Sequence, residues 1–268
     1  MTNLPPESIC ESLNDSVCAI TMTEDGEVLS SGSGFAISPE GQVVTAAHVV
    51  TGRLPIREED INADGTVMTC QFHSTPPIAY EAKLCGIQLR SNAFRENLLV
   101  DLAILEPLQG QKSETFKPLP RKRIGPKLGQ TVYMAGFSEE VELPFKIEAL
   151  LDPDTPGAGR FLHHVDRGYQ AVMGKPMCKR AMVGNVLEFS ATSGSRVIKG
   201  DVFYIDQAMH QGASGGPVVD ESGVVVGVVT HRAVTKVYRE AERIEVPSGS
   251  ALAISIEALD TYVRTLDN

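Results

Sequence analysis

Short runs of Val and Ile, separated by Gly, Pro, Asn, Asp or Ser, recur along most of this 268-residue chain. Apolar runs of this length bounded by turn-forming residues are typical of β-strands. The clearest runs are residues 16–21, 34–37, 42–45, 102–105, 131–135, 183–189 and 224–229. The pattern therefore predicts an all-β protein.

Breaks in the strand pattern divide the chain. Asp25-Gly26 and the Gly-Ser-Gly cluster at residues 32–34 are turn signals, as the hairpins of a barrel or a sandwich require. A seam between two halves is predicted at residues 106–125, where three prolines and a basic cluster interrupt the strands. Each half is long enough for a six-stranded barrel. Residues 54–64 and 138–180 are predicted to be long surface loops.

The C-terminal segment follows a different period. Ile256, Leu259, Val263 and Leu266 recur at helical spacing after Ser255, a residue type that favours the N-cap position. The sequence therefore predicts a closing helix over residues 255–267.

Charge and cysteine content narrow the class of protein. Lys and Arg number 24 against 34 Asp and Glu, giving a formal net charge of -10, which disfavours nucleic acid and anionic lipid as partners. No stretch approaches the roughly 20 apolar residues of a membrane span. The N-terminus lacks a signal-peptide pattern. Five scattered cysteines without a CxxC pair indicate reduced thiols, so we expect a soluble, cytoplasmic protein.

Three short segments carry residues suited to catalysis, in the order His, Asp, Ser. His48 follows a hydrophobic strand in VVTAAHVV, Asp101 opens the apolar strand of VDLAILEP, and Ser214 lies in the Gly-rich turn of DQAMHQGASGGPVV. Each alone is a modest signal, since an ordinary histidine, a strand-edge aspartate and a tight turn are common. Their combination in one chain is far more specific.

In this order, TAAHVV, DLAIL and GASGGPVV resemble the catalytic signatures of trypsin-like serine peptidases, in style the bacterial Htr/Deg branch. The resemblance covers roughly residues 16–266 and implies the chymotrypsin fold. We therefore expect one peptidase domain of two six-stranded antiparallel β-barrels, over about 15–115 and 125–254, and a C-terminal helix. The peptide-binding PDZ module of many Htr enzymes is not expected.

The resemblance gives each residue of the triad a role. His48 is the general base and acid, Asp101 orients its ring and stabilises the imidazolium, and Ser214 is the nucleophile that forms an acyl-enzyme. The backbone N–H groups of Gly212 and Ser214 are implied to form the oxyanion hole. The chemistry requires no cofactor.

Ala213 departs from the digestive members of the family, which have an Asp there that pairs with a newly cut N-terminus. An alanine cannot make that ion pair, so activation by N-terminal cleavage is not expected. The Htr-like branch carries regulatory loops where this chain has residues 138–180. We expect this segment to gate activity and to be the place where a regulatory partner acts.

The resemblance also implies which residues form the primary specificity pocket. Ala208 stands where Arg- and Lys-selective members have Asp, and Val229 stands where Glu-selective members have His. We therefore expect cleavage of protein or peptide substrates after small or medium aliphatic residues. The implied substrate-binding residues are Ala208, Met209, His210, Gln211, Val229, Thr230, His231 and Arg232.

Some alternatives stay open. His163-His164 with Asp166 is not expected to bind a metal ion, because adjacent residues of a strand point apart and a third strong ligand is lacking nearby. A non-catalytic binding protein that keeps the fold as a scaffold is one rival, although an intact triad argues against it. A latent enzyme whose oxyanion hole forms only with a partner is the other, and Ala213 keeps it open.

Overall fold

The computed structural model describes residues 3–73, 75–89, 98–108, 116–122, 125–137, 152, 154–156, 158, 175–193, 196–239 and 242–259. Within this part of the chain, the strands form two closed six-stranded barrels in which neighbours run antiparallel. The predicted all-β class and its two six-stranded barrels are confirmed. Helix α2 (Ala47–Thr51) packs on strands of the first barrel, and helix α1 (Pro6–Ser16) precedes that barrel in the chain.

The N-terminal barrel closes in the order β1-β2-β3-β6-β5-β4. Its strands alternate between the core and the outside, as in β4, where Val67 is half exposed while Met68 and Cys70 are buried. This alternation fixes the register, because a slip of one residue would turn the apolar side outward. The strands are β1 (Val17–Glu24), β2 (Glu27–Ala36), β3 (Val43–Thr45), β4 (Thr66–Phe72), β5 (Ile78–Leu89) and β6 (Leu98–Pro107).

The C-terminal barrel closes in the order β10-β11-β12-β9-β8-β7. Its core is apolar, with Phe203 and Met134 among the largest side chains that are fully buried. The strands are β7 (Thr131–Gly136), β8 (Met177–Ser193), β9 (Arg196–Ile205), β10 (Pro217–Asp220), β11 (Val225–Arg239) and β12 (Glu242–Ser255).

Helix α1 was not predicted from the sequence. Pro6 begins the helix, where its missing N–H costs nothing. Ile9 and Leu13 lie one turn apart and are fully buried in the same cluster as Ala135 and Phe137 at the end of β7. The helix thus packs against the second barrel through two apolar residues, too few for a helical period to stand out in the sequence.

One of the two predicted turns is wrong. Asp25-Gly26 forms the β1–β2 turn, with φ angles of 49° and 85°. The Gly-Ser-Gly cluster at residues 32–34 instead lies inside β2. Its glycines serve close packing, since a Cβ at Gly32 would lie 2.6 Å from methyl groups of Val49.

The predicted loops and the closing helix fit in part. Residues 54–64 contain no strand and one 3₁₀ turn at Glu58–Asp60. The predicted loop 138–180 ends earlier than expected because β8 begins at Met177, and most of residues 138–174 lie outside the described part. Residues 256–259 are helical, and the remainder of the predicted helix also lies outside it. The Ser255 hydroxyl oxygen accepts the N–H of Asp201 at 2.8 Å.

Candidate active site

The first barrel holds His48 against Asp101. His48 lies on α2, directly after β3, and β3 pairs with β6 so that Thr45 stands opposite Ala103. His48 Nδ1 lies 2.7 Å from Oδ2 of Asp101, and the His48 backbone N–H donates to Oδ1 at 2.9 Å. Because both carboxylate oxygens bond to His48, the ring orientation is fixed and Nε2 remains available for a second partner.

Asp101 lies deeper in the fold than the sequence indicates. It is the fourth residue of β6 rather than its first, because Leu98, Leu99 and Val100 continue the pairing with β5. Its side chain is only 7% exposed. A carboxylate so removed from water is strongly stabilised by its two hydrogen bonds from His48.

Ser214 lies in the turn that leads into β10. Its hydroxyl donates to the carbonyl oxygen of Thr230 at 2.9 Å. The Ser214 and His48 side chains are both described, and no hydrogen bond joins them. The Ser214 hydroxyl proton must therefore leave Thr230 before it can be donated to His48.

The turn before Ser214 has a defined conformation. The Ala213 N–H donates to the carbonyl of His210 at 3.2 Å, and Gly212, the third residue of this turn, has φ of +88°. A positive φ at the third position is what a type II turn requires. Within the described chain, the N–H groups of Gly212 and Ser214 have no protein acceptor. Two backbone donors are thus left beside the serine.

Ser33 of the first barrel holds this turn, a role that sequence reasoning missed. Its fully buried hydroxyl donates to the carbonyl of Gly212 and accepts the N–H of Phe137, both at 2.8 Å. Its backbone N–H donates to the carbonyl of Ser214, also at 2.8 Å. The glycines on either side of Ser33 were the available signal, because such pairs mark places where another backbone approaches closely.

Gly215 fixes how close the two barrels come. Its φ is +87°, and a Cβ built there would overlap the carbonyl oxygen of Ser33 and Oγ1 of Thr45, and would lie 2.9 Å from the backbone nitrogen of Ala46. Only glycine fits this position. The contact brings the Ser214 turn alongside the residues that lead into His48.

His231, implied to be a pocket residue, lies beside His48 and Asp101. Its Nδ1 is 3.8 Å from Oδ2 of Asp101, and its ring centroid is 5.1 Å from that of His48. Burial lowers the pKa of His231, Asp101 opposes this effect, and His48 adds to it. His231 remains the more accessible of the two rings, with 42% of its side chain exposed against 22% for His48.

The other implied pocket residues have varied environments. Met209 and Val229 are 3% exposed and belong to the same apolar cluster as Ala213. Thr230 is buried and Gln211 is exposed, while Ala208, His210 and Arg232 are half-buried. The ammonium group of Lys179, not anticipated from the sequence, donates to the carbonyl of Ala208 at 2.6 Å.

The five cysteines are free thiols. Burial, and to a smaller extent the charge of Asp101, raises the pKa of Cys85 to about 12. Burial also raises the pKa of Cys178 to about 12, with Cys10 adding to the effect. These two thiols are therefore poor nucleophiles at neutral pH. His163, His164 and Asp166 lie outside the described residues.

Two closed barrels, with a histidine–carboxylate pair in one and a serine in a Gly-rich turn of the other, define a chymotrypsin-like fold. The chain belongs to the trypsin-like peptidase family, because residues 32–228 match the family model of the trypsin-like peptidase domain. Among curated proteins, none matches this sequence. Among the described helices, none is long and apolar enough to cross a membrane.

Solved structures of the Rv3671c protease from M. tuberculosis share this fold. The active form aligns with a TM-score of 0.54 at 19% identity, covering 97% of this chain and 86% of that chain. The inactive form aligns with a TM-score of 0.53 at 19% identity, covering 98% of this chain and 97% of the other. A serine-to-alanine mutant in the inactive form gives 0.53 at 18% identity, with 98% and 94% covered.

Proposed function

We propose that this protein is a serine endopeptidase in which His48, Asp101 and Ser214 form the catalytic triad. The observation that carries the proposal is the double hydrogen bond from His48 to the buried carboxylate of Asp101. This arrangement holds the tautomer in which Nδ1 carries the proton and Nε2 accepts one. The Ser214 turn lies against the residues that lead into His48, which supports Ser214 as the donor of the proton that Nε2 accepts.

The reaction follows from these positions. Ser214 turns from Thr230 to His48, and Nε2 takes the hydroxyl proton as Oγ bonds to the substrate carbonyl carbon. The resulting oxyanion accepts hydrogen bonds from the Gly212 and Ser214 N–H groups. The imidazolium then gives its proton to the departing amine, which leaves an acyl-enzyme. Water, deprotonated by His48, attacks the ester and releases Ser214.

We infer that the enzyme cleaves after small or medium aliphatic residues. The buried apolar side chains of Met209 and Val229 support this preference. The Lys179 ammonium group on the Ala208 carbonyl disfavours a basic side chain in the same region by charge repulsion. An aliphatic pocket discriminates one methylene by only about 1–3 kcal/mol, so the preference is broad.

A second candidate is a latent peptidase that a partner activates. The hydrogen bond from Ser214 to Thr230 favours it, because the nucleophile rests away from its base. The Rv3671c protease, similar in fold, has been solved in an active and an inactive form. The partner would act on segment 138–180. Deletion of residues 152–167 tests this, since unchanged turnover, folding and probe labelling would contradict gating by the segment.

We also propose a cytoplasmic location. Five free thiols support it, because a reducing compartment keeps cysteines unpaired. Thiol labelling of the protein in intact and in fractionated cells measures the location and the redox state together.

Fluorophosphonate labelling followed by intact mass measurement tests the activity. Labelling of the wild type but not of Ser214→Ala, together with digestion of casein, is the expected result. A folded wild type that reacts only after a partner is added would favour the latent enzyme. A folded wild type that never reacts under either condition would favour the scaffold and contradict catalysis.

A further inference from the structure

His48, Asp101 and His231 are of residue types that bind metal ions in proteins, and their side chains lie close together. One ligand atom from each of His48, Asp101 and His231 lies within 4.8 Å of the other two. We propose that these residues form a Zn²⁺ site and that zinc bound there reversibly inhibits the peptidase. The inhibitory part rests on the proposed function, whereas the binding part stands on the geometry alone.

The distances fit a zinc ion after a small adjustment of the side chains. Zn–N and Zn–O bonds of about 2.0–2.2 Å in a tetrahedral site place ligand atoms about 3.3 Å apart. Asp101 Oδ2 lies 2.7 Å from Nδ1 of His48 and 3.8 Å from Nδ1 of His231, so the observed separations lie on both sides of that value. Asp101 would bridge the two rings through an oxygen that already faces both.

The donor set selects among divalent cations. Two imidazoles and one carboxylate are the ligand types of zinc sites that keep one coordination position open. Mg²⁺ and Ca²⁺ require mainly oxygen ligands, of which this group offers a single carboxylate. Zinc is therefore the expected ligand, and Mg²⁺ is a matched control.

The site is reachable from solvent through His231. The ring of His231 is 42% exposed while Asp101 is 7% exposed, so one side of the group faces water and the other faces the barrel. This arrangement provides an entry path and leaves the fourth coordination position for water. His231 is distant in sequence from its two partners, so ligand spacing gives no sign of the group.

Zinc at this position blocks proton transfer through a change of tautomer. A neutral imidazole that binds zinc through Nδ1 carries its proton on Nε2. The Nδ1–H bond breaks and an Nε2–H bond forms through exchange with water, so the imidazole keeps one proton and stays neutral while Nδ1 bonds to zinc. His48 then lacks the lone pair that accepts the Ser214 hydroxyl proton. The hydrogen bond between His48 and Asp101 is also replaced by metal bonds.

Zinc binding is measured by titration calorimetry, in which zinc chloride is added to the full chain carrying Ser214→Ala. One equivalent of zinc is expected to bind, and magnesium chloride gives no heat. His231→Gln in the same background should weaken zinc binding by about 100-fold or more, since even outer-shell changes cost 10–100-fold. His73→Gln, which alters an exposed histidine in the turn after β4, is the control and should leave zinc affinity unchanged. Equal zinc affinity in the two histidine variants would overturn the proposal.

Turnover of a peptide substrate separates the two proposals. Zinc should inhibit the wild type, EDTA should restore its rate, and the zinc concentration for half inhibition should rise in His231→Gln relative to that variant's own zinc-free rate. A protein that binds zinc through His231 but never turns over substrate supports the site and contradicts the peptidase. An active enzyme that neither binds zinc nor is inhibited by it supports the peptidase and contradicts the site.

Discussion

The two barrels differ in how they hold their residues of the proposed active site. In the N-terminal barrel, His48 and Asp101 are joined by two hydrogen bonds and already have the geometry that proton transfer requires. In the C-terminal barrel, the Ser214 hydroxyl is bonded to the carbonyl of Thr230. In the proposed mechanism, the base is therefore held by its own barrel, whereas the nucleophile still has to leave Thr230.

This difference indicates where control of the reaction resides. His48 and Asp101 are held together by the strand pairing between β3 and β6, so moving one relative to the other would disturb that pairing. The Ser214 hydroxyl is bonded to Thr230, and its turn depends on Ser33 from the opposite barrel. In the proposed mechanism, a regulator that moves the Ser214 turn would leave the hydrogen bonds between His48 and Asp101 in place.

Removal of the nucleophile tests the C-terminal contribution and has the largest expected effect. Ser214→Ala should lower kcat by about 10⁶-fold, because the covalent route is lost entirely. The fold should persist, since the change removes one hydrogen bond to Thr230. Steady-state kinetics and circular dichroism measure both. Ser222→Ala, in the β10–β11 turn, is the control and should keep full activity; a residual rate near wild type in Ser214→Ala would assign the nucleophile elsewhere.

Asp101→Asn tests the N-terminal contribution. The amide favours the wrong tautomer of His48, so kcat should fall by about 10⁴-fold with little change in KM. Asp220→Asn is a matched change in the other barrel, where the carboxylate accepts two backbone N–H groups of a turn. That variant should retain kcat. Similar kcat values for Asp101→Asn and the wild type would mean that the pair is structural only.

Ser33→Ala sharpens the comparison, because Ser33 joins the two barrels. Its loss leaves the Gly212 carbonyl and the Phe137 N–H without their buried partner, which should cost about 2–4 kcal/mol of unfolding free energy. The displaced oxyanion turn should lower kcat by up to about 100-fold. Urea unfolding and kinetics measure the two effects. Ser31→Ala, on the same strand, should change neither; equal effects of the two variants would contradict a specific role for Ser33.

The smallest expected effect is on the preference for the residue before the cleaved bond. Peptides that differ only at the residue before the cleaved bond should be cut within about 100-fold of one another for Val, Ala and Leu, and more slowly for Arg and Glu. Lys179→Gln should raise cleavage after Arg about two- to five-fold by removing a nearby positive charge. A wild-type preference for Arg, or for Glu drawn by Lys179, would contradict the aliphatic pocket.

Sequence patterns predicted the strands because their signals are local, whereas the two barrels were implied by the family resemblance. Apolar runs between turn residues located most strands, and the confirmed turn at Asp25-Gly26 has the positive φ angles that its residue types favour. The Gly-Ser-Gly cluster at residues 32–34 gives the same local signal, and for that reason it was wrongly predicted to be a turn. Glycine marks both turns and close packing, and only the fold shows that Val49 and the Ser214 turn approach Gly32 and Ser33.

The residues of the candidate site could be predicted from the sequence only where they lie in short, recognisable motifs. The segments around His48, Asp101 and Ser214 carry recognisable signatures, whereas Ser33, Lys179 and the position of His231 depend on contacts between distant parts of the chain. The resting hydrogen bond of Ser214 is a rotamer choice, which residue types do not encode. Long-range contacts and rotamers are therefore what the structure adds.

The hydrogen bonds of Ser33 affect how the protein loses its proposed active site on heating or in denaturant. Ser33 belongs to one barrel, and the turn it supports belongs to the other, so the working site exists only while the two are docked. Heat or denaturant that separates the barrels would disassemble the proposed site and would also expose the apolar cluster that residues of both barrels share. Loss of activity and loss of the strand structure are therefore expected at the same temperature or denaturant concentration.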